Sequence, residues 1–321
     1  MEFSIPSLSK RYIYSGLFQG KLPVFLYHSI KTSKSIITKN LHEVSFENFK
    51  NDVRWLNKNF DIVPICDLID LKDKRGKAAI TFDDGYLSIF KYALPFLIEN
   101  QIPSTVFLNG ANVRGNILWR DKIRYIINNK KVDNFFDFIA RKKINLSLSK
   151  ENFYYSSKQS KVNSKMLSTL IDEFFEINGD FNNSLYVKDK IAALSDLIQS
   201  EYVFYGNHGF NHYLMSSLSY EEQLDEVIDN ENYFKNKNIN LLKLFSIPFG
   251  GDGTYDKNTL EILSKNNYKT ILLSRNRFNI IDTSYNNNPF VERFMPQERD
   301  FKNIILISKM ILKAVIKRFH L

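Results

Sequence analysis

Short, largely apolar runs alternate with longer segments of helical periodicity through most of the chain. Val24 to Tyr27, Ala78 to Phe82, Ser104 to Leu108, Tyr202 to Tyr205, Leu244 to Ile247 and Thr270 to Leu273 read as strands covered on both faces. Between them, Ser45 to Asn57 places Phe46, Phe49, Val53 and Leu56 at helical spacing. Ser219 followed by Glu222 is a capping box that opens a second helix, and Asp256 caps a third that runs through Leu260 and Leu263. Strands that alternate with helices in this way lie parallel and are joined by right-handed crossovers, so the pattern predicts a layered α/β sheet or a barrel.

Two stretches depart from that rhythm. Residues 115–200 are rich in Lys, Asn, Ser and Phe and mostly helical in pattern. They are expected to form an insertion within one domain spanning 1–321, made apolar enough to fold against the body by Phe135 to Phe138, Phe153 to Tyr155, Phe174 and Phe175. Residues 301–321 are apolar but interrupted by Lys302, Lys309, Lys313 and Lys317 on one helical face. That run falls short of the ~20 apolar residues a membrane span needs. It is expected to be a basic amphipathic helix, packed on the core or lying on an anionic membrane surface.

Composition narrows the chemistry. At 44% hydrophobic and 25% charged, the 321 residues are ordinary for a globular protein. One cysteine, Cys66, excludes an intramolecular disulfide and any Cys-rich zinc module. A net charge of +9 favours anionic partners, among them a phospholipid surface or a nucleotide- or lipid-linked sugar. With no accompanying nucleic-acid motif, nucleic acid is not expected. The first 30 residues show no signal-peptide pattern, so the expected location is cytoplasmic, with a peripheral association at the inner face of the membrane.

Three strand ends carry candidate chemistry. Thr81-Phe82-Asp83-Asp84-Gly85 puts adjacent carboxylates at the end of a strand, where each raises the cost of ionising the other and a bound cation would relieve both. Gly206-Asn207-His208-Gly209-Phe210-Asn211-His212 follows another strand, and two histidines four apart share one face of a helical turn, suited to clamping a metal. Phe245-Ser246-Ile247-Pro248-Phe249-Gly250-Gly251 ends a third and reads as a forced sharp turn. In a barrel all strand C-termini converge on one mouth.

Together these segments resemble the polysaccharide deacetylase family, the NodB-homology carbohydrate esterases, and within it the branch that includes poly-N-acetylglucosamine deacetylases. Thr-Phe-Asp-Asp-Gly matches the family's first motif, and His208 to His212 its second apart from Gly209. Leu26-Tyr27-His28-Ser29 and Ser104-Thr-Val-Phe-Leu108 are similar to two of its strands, and the likeness spans about residues 22–114 and 200–295. The resemblance implies an incomplete (β/α) barrel of about seven strands with a mostly helical insertion. It implies one divalent metal, usually Zn2+, on Asp84, His208 and His212, with Asp83 as general base. The reaction it implies is removal of an N-acetyl group from an amino sugar in a glycan or its lipid- or nucleotide-linked precursor. Tyr86, Pro248, Phe249 and Trp119 would contact the substrate, Trp119 either stacking on a sugar face or sitting in the core.

Two positions depart from the family pattern. Ser246 stands where many members have an arginine that orients the base, and Arg293, in Val291-Glu-Arg-Phe294, is the expected substitute. The histidine expected as general acid after a late strand is missing from Ile271-Leu-Leu-Ser274, which leaves Asp83 itself, His28 or water as the proton donor. Deformylation of a formamido sugar would use the same chemistry. A retired, sugar-binding protein is the reading from another class.

Overall fold

The computed structural model describes residues 21–31, 42–71, 73–179, 190–280 and 289–296. The expected C-terminal helix at 301–321 therefore lies outside the described residues. Among these residues no helix is long and apolar enough to cross a membrane.

Seven strands form the body: β1 (Val24–Tyr27), β2 (Lys77–Phe82), β3 (Ser104–Leu108), β4 (Val203–Asn207), β5 (Leu242–Ser246), β6 (Thr270–Leu273) and β7 (Phe290–Glu292). They are hydrogen-bonded side by side in sequence order, each parallel to the next. The chain winds steadily in one direction, as right-handed crossovers require. Every residue of β1, β3 and β6 is buried, because one face fills the interior and the other meets helices. The ring closes narrowly. Just beyond β7, the Phe294 N–H donates to the Val24 carbonyl at 2.8 Å, and the Leu26 N–H donates to the Phe294 carbonyl at 2.8 Å. The sheet is a nearly closed, seven-stranded barrel.

The outer helices begin where local chemistry places them. Ser45 caps α1 (Phe46–Asn59) by accepting from the Asn48 N–H, and Phe49, Val53 and Leu56 face the core. Both predicted caps of the later helices are present. Ser219 and Glu222 bond each other's backbone N–H at the head of a helix Tyr220–Lys235, and Asp256 accepts from the Thr259 N–H before Lys257–Lys265.

Between β3 and β4 the chain leaves the barrel and builds helices at Trp119–Asn128, Val132–Arg141 and Ser164–Asn178. They enclose an apolar cluster of their own, with Trp119, Ile123, Phe135, Phe153, Ile171 and Phe174 all buried. Tyr213 and Phe249, from two loops at the barrel mouth, pack against this cluster and join it to the body.

Candidate active site

The first aspartate pair is bent into place by backbone that few residues adopt. β2 ends at Phe82; the Asp83 N–H then donates to the Tyr27 carbonyl at 3.0 Å, and Asp84 turns into the left-handed region at φ 71°. Such a conformation costs on the order of 1–3 kcal/mol and persists only where its surroundings impose it. Here the Asp84 carbonyl accepts from Asn112 Nδ2 at 2.8 Å.

The histidine loop corrects one expectation. His208 and His212 share no helical turn: residues 208–212 are irregular, and the chain reverses through left-handed backbone at Gly209 (φ 74°) and His212 (φ 58°). A Cβ at Gly209 would stand 3.1 Å from Glu226 Oε2, so a side chain would be strained and crowded there. Glu226 accepts from both the backbone and the side-chain amide of Asn211, while Asn109 Nδ2 donates to the carbonyls of His208 and Gly209. Burial raises the Glu226 pKa to about 7 against the pull of these N–H donors. The pairing of β4 with β5 slips register at Gly206 and Asn207, which re-aims the chain immediately before His208.

These loops bring Asp84, His208 and His212 together, one ligand atom from each lying within 4.8 Å of the others, all three buried. His208 Nε2 and His212 Nε2 both lie 3.4 Å from Asp84 Oδ1. His208 Nδ1 stands 2.7 Å from the Ser246 carbonyl. A carbonyl only accepts, so Nδ1 carries the proton and Nε2 turns its lone pair to the cluster. Asp84 Oδ1 and both ring nitrogens of His212 are buried with no hydrogen-bond partner in the protein. Groups so placed are costly unless something else satisfies them, and a carboxylate with two imidazoles suits a divalent ion such as zinc. The residues fit the group.

Beside the triad, Asp83 is gripped from across the barrel. Arg293 donates to both carboxylate oxygens at 2.7 Å, and Ser246 Oγ bridges the pair, 2.8 Å from Arg293 Nη2 and 3.1–3.2 Å from the Asp83 oxygens. Burial pushes the Asp83 pKa up, but Arg293 with the nearby His208 and His28 together outweigh it and the net shift is downward. Arg293 is fully buried, so this is no surface ion pair. Ser246 makes two contacts at once, its hydroxyl with the Asp83 carboxylate and its carbonyl with His208 Nδ1.

Sequence reasoning missed Arg120. It donates to Asp84 Oδ2 and to the Tyr86 hydroxyl, leaving Oδ1 alone to face the histidines. Burial pushes the Asp84 pKa up, yet this arginine and the neighbouring histidines together hold it well below the usual range. The Tyr86 hydroxyl donates to Asp121 at 2.7 Å, and Arg124 donates to Asp121 at 2.8 Å. Trp119, Arg120 and Asp121 read in sequence as the polar and apolar faces of a helix start, which conceals that all three point inward.

The expected substrate contacts divide. Tyr86 and Trp119 are 1% and 2% exposed, so neither is a sugar platform. Tyr86 supports Arg120, and the Trp119 indole N–H donates to the His212 carbonyl at 3.0 Å. Pro248 is buried, whereas Phe249 is part-exposed, its ring 4.9 Å from that of His212. Ser274, where an acid histidine was expected, pins this turn instead, its hydroxyl donating to the Phe249 carbonyl at 2.7 Å. At Gly250 a Cβ would come within 2.5 Å of Ser274 Oγ. His28 is buried with its ring 5.2 Å from His42, and burial lowers its pKa to about 4.

The model of the polysaccharide deacetylase family matches residues 70–134 and 173–271, just over half of the chain, and takes in Asp83, Asp84, His208 and His212. The chain belongs to the polysaccharide deacetylase family. The family match skips residues 135–172, the middle of the insertion. The Bacillus subtilis (strain 168) protein YxkH, which carries a polysaccharide deacetylase name, is 30% identical over 100 residues, 29% of this chain and 34% of its own length. The aligned part is thus about a third of that relative. Among solved structures, a Streptococcus pyogenes deacetylase, PplD, in complex with acetate has 15% identity and a TM-score of 0.53, covering 89% of this chain and 97% of its own. IcaB from Ammonifex degensii has 16% identity and a TM-score of 0.51, covering 89% and 96%. At such identities these two structures establish the deacetylase fold.

Proposed function

We propose that this polysaccharide deacetylase is a metal-dependent hydrolase that removes the N-acetyl group from an amino sugar in a glycan or glycan precursor. The observation that carries the reading is the buried cluster of Asp84, His208 and His212, with unpartnered ligand atoms, beside an aspartate held ionised by Arg293. Asp84 Oδ1, His208 Nε2 and a nitrogen of His212 would hold the ion, and zinc suits this donor set best. Bound there, it would supply Lewis acidity toward the amide carbonyl and toward water.

The chain's own residues account for the proton traffic. Asp83 is ionised at neutral pH and accepts the proton of the attacking water. Arg293 and Ser246 fix both of its oxygens, so the carboxylate needs no reorientation between accepting that proton and returning it to the leaving amine. His28 is neutral at pH 7 and a poor proton donor. Asp83 therefore serves in both directions, which resolves the missing late histidine without a second acid. The acetate bound to PplD is the product this reaction would release.

Metal content and acetate release, measured together on the wild type and Asp83→Asn with N-acetylated sugar oligomers, test the reading. The expected result is about one metal per chain in both proteins, with release falling ~10²–10⁴-fold in the variant. Metal without release from any substrate would favour a retired glycan-binding site, and a protein unable to hold metal would overturn the proposal.

A further inference from the structure

Beyond the triad, one lysine stands close to the site without a counter-charge among the described residues. Lys158 belongs to the stretch that the family model skips, just after a short helix Phe153–Ser156, and its N–H donates to the Tyr155 carbonyl at 3.2 Å. Its ammonium stands 4.3 Å from the Tyr154 ring centroid and 5.7 Å from that of Phe249, the ring packed on His212. Tyr154 is itself fixed, its hydroxyl accepting from Arg124 at 2.8 Å. One aromatic ring therefore separates a cation of the insertion from an imidazole of the triad.

The charge there is unbalanced. Arg120 is neutralised by Asp84 and Arg124 by Asp121. Lys158 has no such partner: among the described residues no carboxylate lies against it, and the charges that act on it are the two arginines. Part-burial and those arginines lower its pKa to about 8. A half-buried cation against aromatic faces, repelled by its neighbours and lacking a counter-charge, is an arrangement that an incoming anion would complete.

Building on the deacetylase reading, we infer that Lys158, with Tyr154 and Phe249 as its walls, forms a subsite for an oxyanion carried by the substrate close to the acetamido group. The substrate is then an acidic N-acetylated sugar, bearing phosphate or carboxylate, in preference to a neutral homopolymer. Phe249 links the two functions, its ring centroid 4.9 Å from that of His212 and 5.7 Å from the ammonium.

Titration calorimetry on the Asp83→Asn background separates binding from turnover. The probes are N-acetylglucosamine 1-phosphate, UDP-N-acetylglucosamine, a tetrasaccharide alternating glucuronate with N-acetylglucosamine, and the neutral N-acetylglucosamine tetramer. At least one anionic probe should bind more tightly than the neutral one. Lys158→Met should weaken that probe about tenfold, the scale of one charge-assisted hydrogen bond, and leave the neutral tetramer unchanged. Lys158→Arg should restore most of the loss, which a folding defect would not allow. The arm that responds tells phosphate from carboxylate. Equal losses on neutral and anionic probes, or no preference for anions in the first place, would overturn the subsite. Should the anion effect persist while Asp83-intact protein releases no acetate from any probe, the subsite stands and the hydrolase reading falls. Release from neutral and anionic probes alike, indifferent to Lys158→Met, sinks the subsite alone.

Discussion

Asp83 and Asp84 are neighbours in one turn but answer to different parts of the molecule. Asp83 is held by the barrel, through Arg293 just after β7 and Ser246 at the end of β5. Asp84 is held from the insertion, through Arg120 in the helix Trp119–Asn128. Each carboxylate has its own arginine, and each arginine comes from a separately packed apolar core. The pairing shows how two adjacent, buried carboxylates stay ionised together, and it divides their support: the barrel supplies the counter-charge of Asp83, and the insertion that of Asp84.

That division can be broken from either side. Arg293→Met should have the largest effect. Leaving Asp83 buried and unpaired costs about 3–5 kcal/mol of stability at neutral pH. The sign follows from the depressed Asp83 pKa: the pair stabilises the fold above the ordinary aspartate value and ceases to as pH falls through the lowered one. In surviving protein the acidic limb of kcat/KM should move to higher pH, because the variant loses the charge that held the pKa down. A limb that stays put would reduce Arg293 to a packing role.

Phe174→Ala comes next. Phe174 is 1% exposed at the centre of the insertion core, and truncation should cost about 3–5 kcal/mol there. If the two cores are separable, calorimetry and limited proteolysis will show damage confined to residues 119–178 while metal content holds. Joint loss of the metal would mean the cores act as one. Arg120→Gln should be mildest, weakening metal affinity about tenfold through lost orientation of Asp84, with the acidic limb unmoved. Tighter metal binding would show that the guanidinium opposes the cation more than it orders the ligand.

The barrel was legible because its strands are short apolar runs with chemistry at their ends, and the capping box at Ser219 and the cap at Asp256 marked two helix starts to the residue. β7 escaped notice: three residues, Phe290 to Glu292, present no period to read. Asp83, Asp84, His208 and His212, singled out through the family resemblance, do converge in the structure, but the local geometry was not legible. Four-residue histidine spacing suggests a helix, and only the left-handed φ at Gly209 and His212 shows how a loop achieves the same convergence. Ser246 read as a missing arginine, when its hydroxyl joins base to guanidinium. Arg120 and Lys158 were hidden for a common reason: a basic residue in a helical, Lys-rich segment looks solvated until the fold shows what it faces.

Barrel closure and the pairing of Asp83 draw on the same few residues. Arg293 immediately precedes Phe294, the residue whose two backbone bonds join the last strand to the first, and it meets a carboxylate 210 positions earlier in the chain. Without the segment 290–294 the first strand would have no partner at this seam and Asp83 no guanidinium, while Asp84 would keep Arg120. The contact that seals the barrel is thus the one that delivers the counter-charge to Asp83, so a loosened seam would be felt in the pocket as a carboxylate left without its partner.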